Sequence, residues 1–447
     1  MITGFSEQIA EALGHGMDAA PEVHFTGRGA LPSYFDVAGL AADSIAAAAR
    51  ELGALMGARQ VQVDRRLAQF WFGMTLRPEG WTLPNPWDDI AGDYRARDGW
   101  IKLHTNAPHH RAAALSVLDC APNKTAVAQT IAGWRAEDLE TAIVAASGCA
   151  AALQSRAAWA THPQGRAVAR EPLISWQDTA EATKRVPQTL DGLRVLDLTR
   201  VLAGPVATRL LAGFGANVLR IDPPDWHEPG VEPEVTVGKR RAGLDLRKMA
   251  DRSVFEGLMR DADVVVHGYR PDALDRMGYG AHARRALNPD LIDVSLCAYG
   301  WTGPWAGRRG FDSLIQMSSG IAAEGLARGD MDVPSPLPVQ ALDHATGYLM
   351  AAAVLRALRV KGATGAVRSA RLSLARTAAL LASGRVQSPE DTLDPETPAD
   401  LDPTPERTPW GPAQRLRFPI LVDDMPPNWR TPAGQLRVDP AQWTRMV

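Results

Sequence analysis

The chain is 447 residues long, 45% hydrophobic and 22% charged, a composition that excludes a largely disordered or fibrous protein. With 48 Lys and Arg against 51 Asp and Glu, its net charge of -3 provides no overall basic field for nucleic acid or anionic lipid. The longest apolar stretch, Tyr348 to Leu355, stops at Arg356 and is far short of the roughly 20 residues a membrane span needs.

Residues 1–30 show weak periodicity and read as a loosely ordered lead-in. Glu7 and Glu11 stand where a secretory leader would be basic, so a cytoplasmic location is expected. Cys120, Cys149 and Cys297 lack C-x-x-C spacing and read as reduced structural thiols without a metal. From Asp36 to Leu55 apolar residues recur at helical spacing. After the Pro84 to Trp87 turn, Trp100, Ile101 and Leu103 follow an Asp-Gly turn as a short strand. Helical patterns return at 112–118 and 136–146, so 31–186 reads as one small α+β region.

A different texture begins at Leu190. LRVLDL (193–198), a loop TRVLAGP, a helix over 205–214 and ANVLRID (216–222) form a β-α-β unit, and ADVVV (262–266) and LIDVSL (291–296) add strands. Continuous apolar strands of this kind belong to a parallel sheet covered on both faces. The spacing therefore predicts an α/β, doubly wound, Rossmann-like large domain over 187–387, with ligand chemistry in the loops after Leu198, Val266 and Leu296. Seven prolines and seven acids across 388–412 predict a semi-rigid linker, and 413–447 a tail that must pack on the body. An internal echo joins the segment from Phe35 to that from Ala341: each has an Asp, a nearby Gly, an Ala-rich helix and a strand-like stretch. Duplication and shared alanine-rich composition both account for it.

The turn TRVLAGP has one glycine and no G-x-G-x-x-G, which argues against a dinucleotide despite Asp222 at the end of the second strand. Its free N–H groups at a helix start still suit a phosphate-bearing ligand. Arg247, Arg270, Arg276, Arg308 and Arg309 lie near predicted strand ends, where phosphates are bound. Asp343, before a long apolar helix, reads either as a helix cap or as a partly desolvated nucleophile that His344 would orient. His109 and His110 have no third ligand at useful spacing for a metal.

Five segments in order, LDGLRVLDLTRVLAGPVATRLLAGFGANVLRID, GKRRAGLDLR, ADVVVHGYRPDALDRMGYG, the stretch from Leu287 to Gly320, and LPVQALDHATGYLMAAAVLRALR, resemble the large domain of the class III CoA-transferases, the CaiB/BaiF family. Residues 92–176 more weakly resemble the family's small domain, which normally follows the large one, so the order reads as permuted or partly duplicated. The resemblance implies a CoA-transferase with no permanently bound cofactor and with acyl-CoA and a carboxylic acid as substrates. It implies Asp343 as nucleophile, forming a mixed anhydride, then an aspartyl-CoA thioester, then a second anhydride with the acceptor. It implies CoA contacts by Val201, Ala203, Leu244, Arg247, Gly268, Tyr269, Arg276 and Arg309. It also implies a homodimer, interlocked or with the small domain completed within one chain.

The departures from the family pattern set the alternatives. Leu202 stands where oxalate-using members carry glutamine, which disfavours a very small dicarboxylate. Gly268 replaces an asparagine, and the glycine-rich loop that closes over the nucleophile has no counterpart. These favour, as an alternative, a catalytically silent CoA-binding protein or partner subunit. The related α-methylacyl-CoA racemases place a histidine where this chain has Phe311, which removes the second acid/base their chemistry needs.

Overall fold

A computed structural model describes residues 4–14, 20–183, 189–384 and 392–444. The start of the large region at 187, residues 388–391 of the linker and parts of the lead-in lie outside the described residues.

The central element is a seven-stranded sheet. Its strands Arg194–Leu198, Asn217–Asp222, Arg240–Gly243, Val264–His267, Ile292–Cys297 and Ala366–Ser373 run parallel, while Ser175–Glu181 closes one edge antiparallel. Counted along the chain, the parallel strands lie side by side as third, second, first, fourth, fifth and sixth. The order thus reverses between Arg194–Leu198 and Val264–His267, and the loops after these two strands diverge there to leave a crevice.

The period of two along the strands divides their side chains between two cores. Val195, Val264, Val266 and Val294 face the helices Ala203–Gly213 and Ala341–Thr364, whereas Leu196, Leu198, Val265 and Leu219 face Phe255, Leu258 and Met259 of Met249–Asp261. The helix Ala341–Thr364 is buried around its whole circumference, between the sheet on one side and the helix Val37–Met56 on the other. This explains why its sequence lacks a polar face. Among the described residues no helix is long and apolar enough to cross a membrane.

Region 31–186 divides into two parts. Val37–Met56, capped by Asp36 through Gly39 N (2.7 Å), joins the core of the large sheet. Residues 90–152 build a core of their own from the antiparallel strands Gly92–Arg95, Trp100–Leu103 and Ala150–Ala152 and the helices Pro108–Leu118, Lys124–Ile131 and Ala136–Ala145. Two sequence expectations are corrected. The lead-in holds a helix, Phe5–Leu13, and a strand, Val23–Thr26, because Phe5, Ile9 and Leu13 recur every fourth residue as one buried stripe. Residues 392–412 are packed on the body: Gly411–Arg415 pairs with Leu76–Pro78, and Asp400 and Glu396 bind Arg66 and Arg77. The acids that suggested solvation instead serve as partners for partly buried guanidinium groups. In the tail, Phe418 and Trp429 enclose Trp71 with ring centroids at 4.5 and 5.6 Å.

Candidate active site

A cavity of about 450 Å³ opens at the carboxyl ends of the parallel strands. Three strand-following loops line it with Val201 to Gly204, Gly268 to Pro271 and Cys297 to Ala298, and His109 and His110 close it from the 90–152 unit.

The first loop is held in a conformation that its own sequence disfavours. Val201 has a left-handed backbone (φ 64°), a costly state for a β-branched residue. Its N–H donates to Glu228 Oε2 at 2.8 Å, and Glu228 is fixed by Arg220 and by Trp226 Nε1 (2.9 Å). Arg220 also binds both oxygens of Asp222, at 2.9 and 3.0 Å. The acid that a dinucleotide site would use on ribose is therefore committed to an internal ion pair. Beneath the loop, buried Asp197 accepts from Thr199 N (2.9 Å), Thr208 Oγ1 (2.6 Å) and Lys239 Nζ (2.9 Å).

Asp343 lies in the first turn of Ala341–Thr364 and lines the cavity, 8% exposed. Capping is done by a residue that the sequence did not point to. Asp312 Oδ2 accepts the N–H groups of Leu342 (2.8 Å) and Asp343 (3.0 Å), while Gln316 Nε2 donates to its other oxygen at 2.5 Å. The cap reading of Asp343 is thus superseded, and its side chain is left to the cavity. Burial, and next the charge of Asp312, push the Asp343 carboxyl well above the ordinary carboxylate range. His344 does not orient it. Its ring stacks on Phe72 with centroids 5.2 Å apart, and burial drives its pKa down to about 3.

Of the other residues singled out in the sequence, Val201, Ala203, Gly268, Tyr269 and Arg309 line the same cavity as Asp343. Leu244 and Arg247, with Tyr269 again, line an adjoining cavity of about 230 Å³ that shares Leu198, Arg200 and Pro223 with the first. Arg276 lines neither; it is largely exposed and pairs with Asp272. Arg308 also lines the cavity, but its guanidinium is bound by Glu140 and lies 4.1 Å from the centre of the Trp305 ring. Residues missed in the sequence include Asp312, Arg200 and Trp226. Arg200 donates to Tyr269 Oη (2.8 Å) and lies over the Trp226 ring, so that one cation joins the two cavities. No motif marks Asp312; only its place just after RRGF, in a loop predicted to carry chemistry, could have drawn attention to it. The three cysteines are free, and no group of metal-ligating side chains occurs among the described residues.

Residues 190–404 match the family model described as CoA-transferase family III. The chain is 36% identical over 194 residues to an acetyl-coenzyme A transferase of Hypoxylon pulicicidum, covering 42% of this chain and 32% of that one. It is 34% identical over 155 residues to succinyl-CoA–D-citramalate CoA-transferase of Chloroflexus aurantiacus (32% and 39% covered). It is 33% identical over 189 residues to succinate–glutarate CoA-transferase of Agrobacterium fabrum (38% and 46% covered). The chain thus spans a third to just under a half of the length of these relatives. A solved CaiB/BaiF family protein from Brucella suis is 27% identical, with 51% of this chain and 65% of that chain covered at a TM-score of 0.37.

Proposed function

Because residues 190–404 place this chain in CoA-transferase family III, we propose that it moves coenzyme A from an acyl-CoA to an organic acid, with Asp343 as the covalent nucleophile. The observation that carries this reading is the environment of Asp343: a buried carboxyl at the carboxyl ends of a parallel sheet, whose charged neighbour is another carboxylate. A carboxylate without a cation partner has no ion pair to break before it attacks an acyl carbon. Attack forms the Asp343 Oδ–acyl bond and expels CoA thiolate. The thiolate then attacks the Asp343 carbonyl carbon and displaces the donor's carboxylate to give aspartyl-CoA, and the acceptor carboxylate reverses the two steps. Each step exchanges one acyl derivative for another of similar energy, so no phosphate donor is required.

In this reading the sheet is doubly wound and holds CoA at the point where strand order reverses. Val201, Ala203 and Gly268 border the pantetheine arm. Leu244, Arg247 and Tyr269 hold the nucleotide in the adjoining cavity, and Arg309 lies toward the thioester. Arg276 would reach CoA only by releasing Asp272. Family membership also favours a homodimer.

Incubation with acetyl-, succinyl- and glutaryl-CoA in the presence of hydroxylamine, followed by peptide mapping, tests the proposal. A hydroxamate confined to Asp343, absent in Asp343→Asn and Asp343→Ala variants that still bind CoA, is the expected result. CoA exchange that survives in either variant would overturn it.

A further inference from the structure

Among the cavity-lining groups to which the transfer scheme gives no task, one is a buried histidine. His110 enters from the helix Pro108–Leu118, is buried, and has no hydrogen-bond partner on Nδ1, which leaves Nε2 as the ring nitrogen for the cavity. Its ring meets Phe311 edge-on, with centroids 5.8 Å apart at 69°. The same phenyl ring stacks on His104 at 3.7 Å, which fixes its plane. Phe311 is the chain neighbour of Asp312, the residue that grips the Asp343 backbone, so His110 stands one side chain away from the anchor of the nucleophile.

Attack on a thioester moves the carbonyl π pair onto oxygen, and that oxyanion requires a donor. The backbone N–H groups of Leu342 and Asp343 are already given to Asp312. Burial first, and then His109, His104 and Arg309, hold the His110 ring at a pKa of about 3, so at neutral pH it carries one N–H and one lone pair. Sealing an N–H away without a partner is costly, so the proton belongs on Nε2.

We infer that His110 is the oxyanion donor of the acyl-transfer step, its Nε2–H hydrogen-bonding the carbonyl oxygen while Asp343 attacks. The inference rests on the transferase reading and adds a donor that the transfer scheme does not name. The bonding balances without proton transfer: the Asp343 O–C bond forms, the π pair moves to oxygen under the imidazole N–H, and its return breaks the C–S bond and releases thiolate.

The test compares wild type, His110→Phe and His110→Gln in the full chain, measuring the rate of Asp343 hydroxamate formation from the same three acyl-CoAs and the CoA affinity by calorimetry. His110→Phe is expected to slow trapping about 10²-fold with CoA affinity unchanged, and His110→Gln, which restores an N–H, to recover at least a tenth of the wild-type rate. Trapping at the wild-type rate in His110→Phe overturns the assignment. So does a loss of CoA affinity as large as the loss of rate, or deuterium from solvent entering the acyl α-carbon only when His110 is present. A wild type that forms no hydroxamate overturns the transferase reading itself, and this assignment with it.

Discussion

Asp312 and Asp343 meet at the start of one helix with opposite tasks: the first satisfies the helix N–H groups so that the second need not. Burial raises both carboxyls, and the charge of Asp312 raises that of Asp343 further. If the ionised Asp343 is the nucleophile, kcat/KM rises with pH through a carboxyl group lying well above the ordinary range. Asp312→Asn removes the neighbouring charge, so the acidic limb of that profile should move to lower pH; a limb that stays put would separate Asp312 from Asp343 electrostatically. The sign for stability follows from the same shift. A folded carboxyl raised above its unfolded value takes up more protons than the unfolded chain, so this pair destabilises the fold as pH rises. Asp312→Asn should flatten that decline in thermal melts between pH 5 and 8; its amide oxygen keeps the helix cap, and the bond lost is the one from Gln316 Nε2, about 1 kcal/mol. In the sequence, Asp343 was visible because it precedes an apolar helix. Asp312 was not, because its partner is 30 residues away and no local pattern records that distance.

At the scale of the element, the approach of two helices sets the position of Asp343. Gly347, one turn after Asp343, lies so close to Ala203–Gly213 that an added Cβ would come 2.3 Å from the Ala203 carbonyl oxygen. Backbone cannot yield as a side-chain tip does, so Gly347→Ala should cost about 1–3 kcal/mol and slow Asp343 trapping by moving the helix start. Urea unfolding and the hydroxamate rate check the two parts separately. The strands at 193–198, 216–222, 262–266 and 291–296 and the helix over 205–214 were legible because continuous apolar runs and 3.6-residue spacing are local signals, whereas the short strand Arg240–Gly243 and the polar helix Met249–Asp261 were not. The packing of Val37–Met56 on Ala341–Thr364 was not, since both helices have apolar residues on nearly every face and neither indicates its neighbour. The acid-rich stretch misled for a related reason: composition records how many carboxylates there are, not that Asp400 faces Arg66.

Across the whole molecule, one buried carboxylate links three separated stretches of chain. Glu234 accepts from Thr75 N and Oγ1 (both 2.8 Å), is paired with Arg209, and lies 3.5 Å from Arg415 of the tail. Glu234→Gln would leave two buried guanidinium groups facing a neutral amide, and removing one partner of such a cluster costs about 3–5 kcal/mol. The expected readouts are a lower urea midpoint and faster proteolysis of the tail. The pH dependence runs opposite to that of the aspartate pair. Arg209 and Arg415 hold the Glu234 carboxyl below its ordinary value, so its contribution is full above that value and is lost as the solution becomes acidic.

His109 and His110 reach the cavity from one part of the chain, and Asp343 from another more than 200 positions later, yet both walls belong to one polypeptide. Covalent connection gives the walls a fixed local concentration of each other, which dilution of the protein does not alter. The cavity therefore keeps both walls at any dilution, whether or not two chains associate, as for a hinged box whose lid cannot be mislaid.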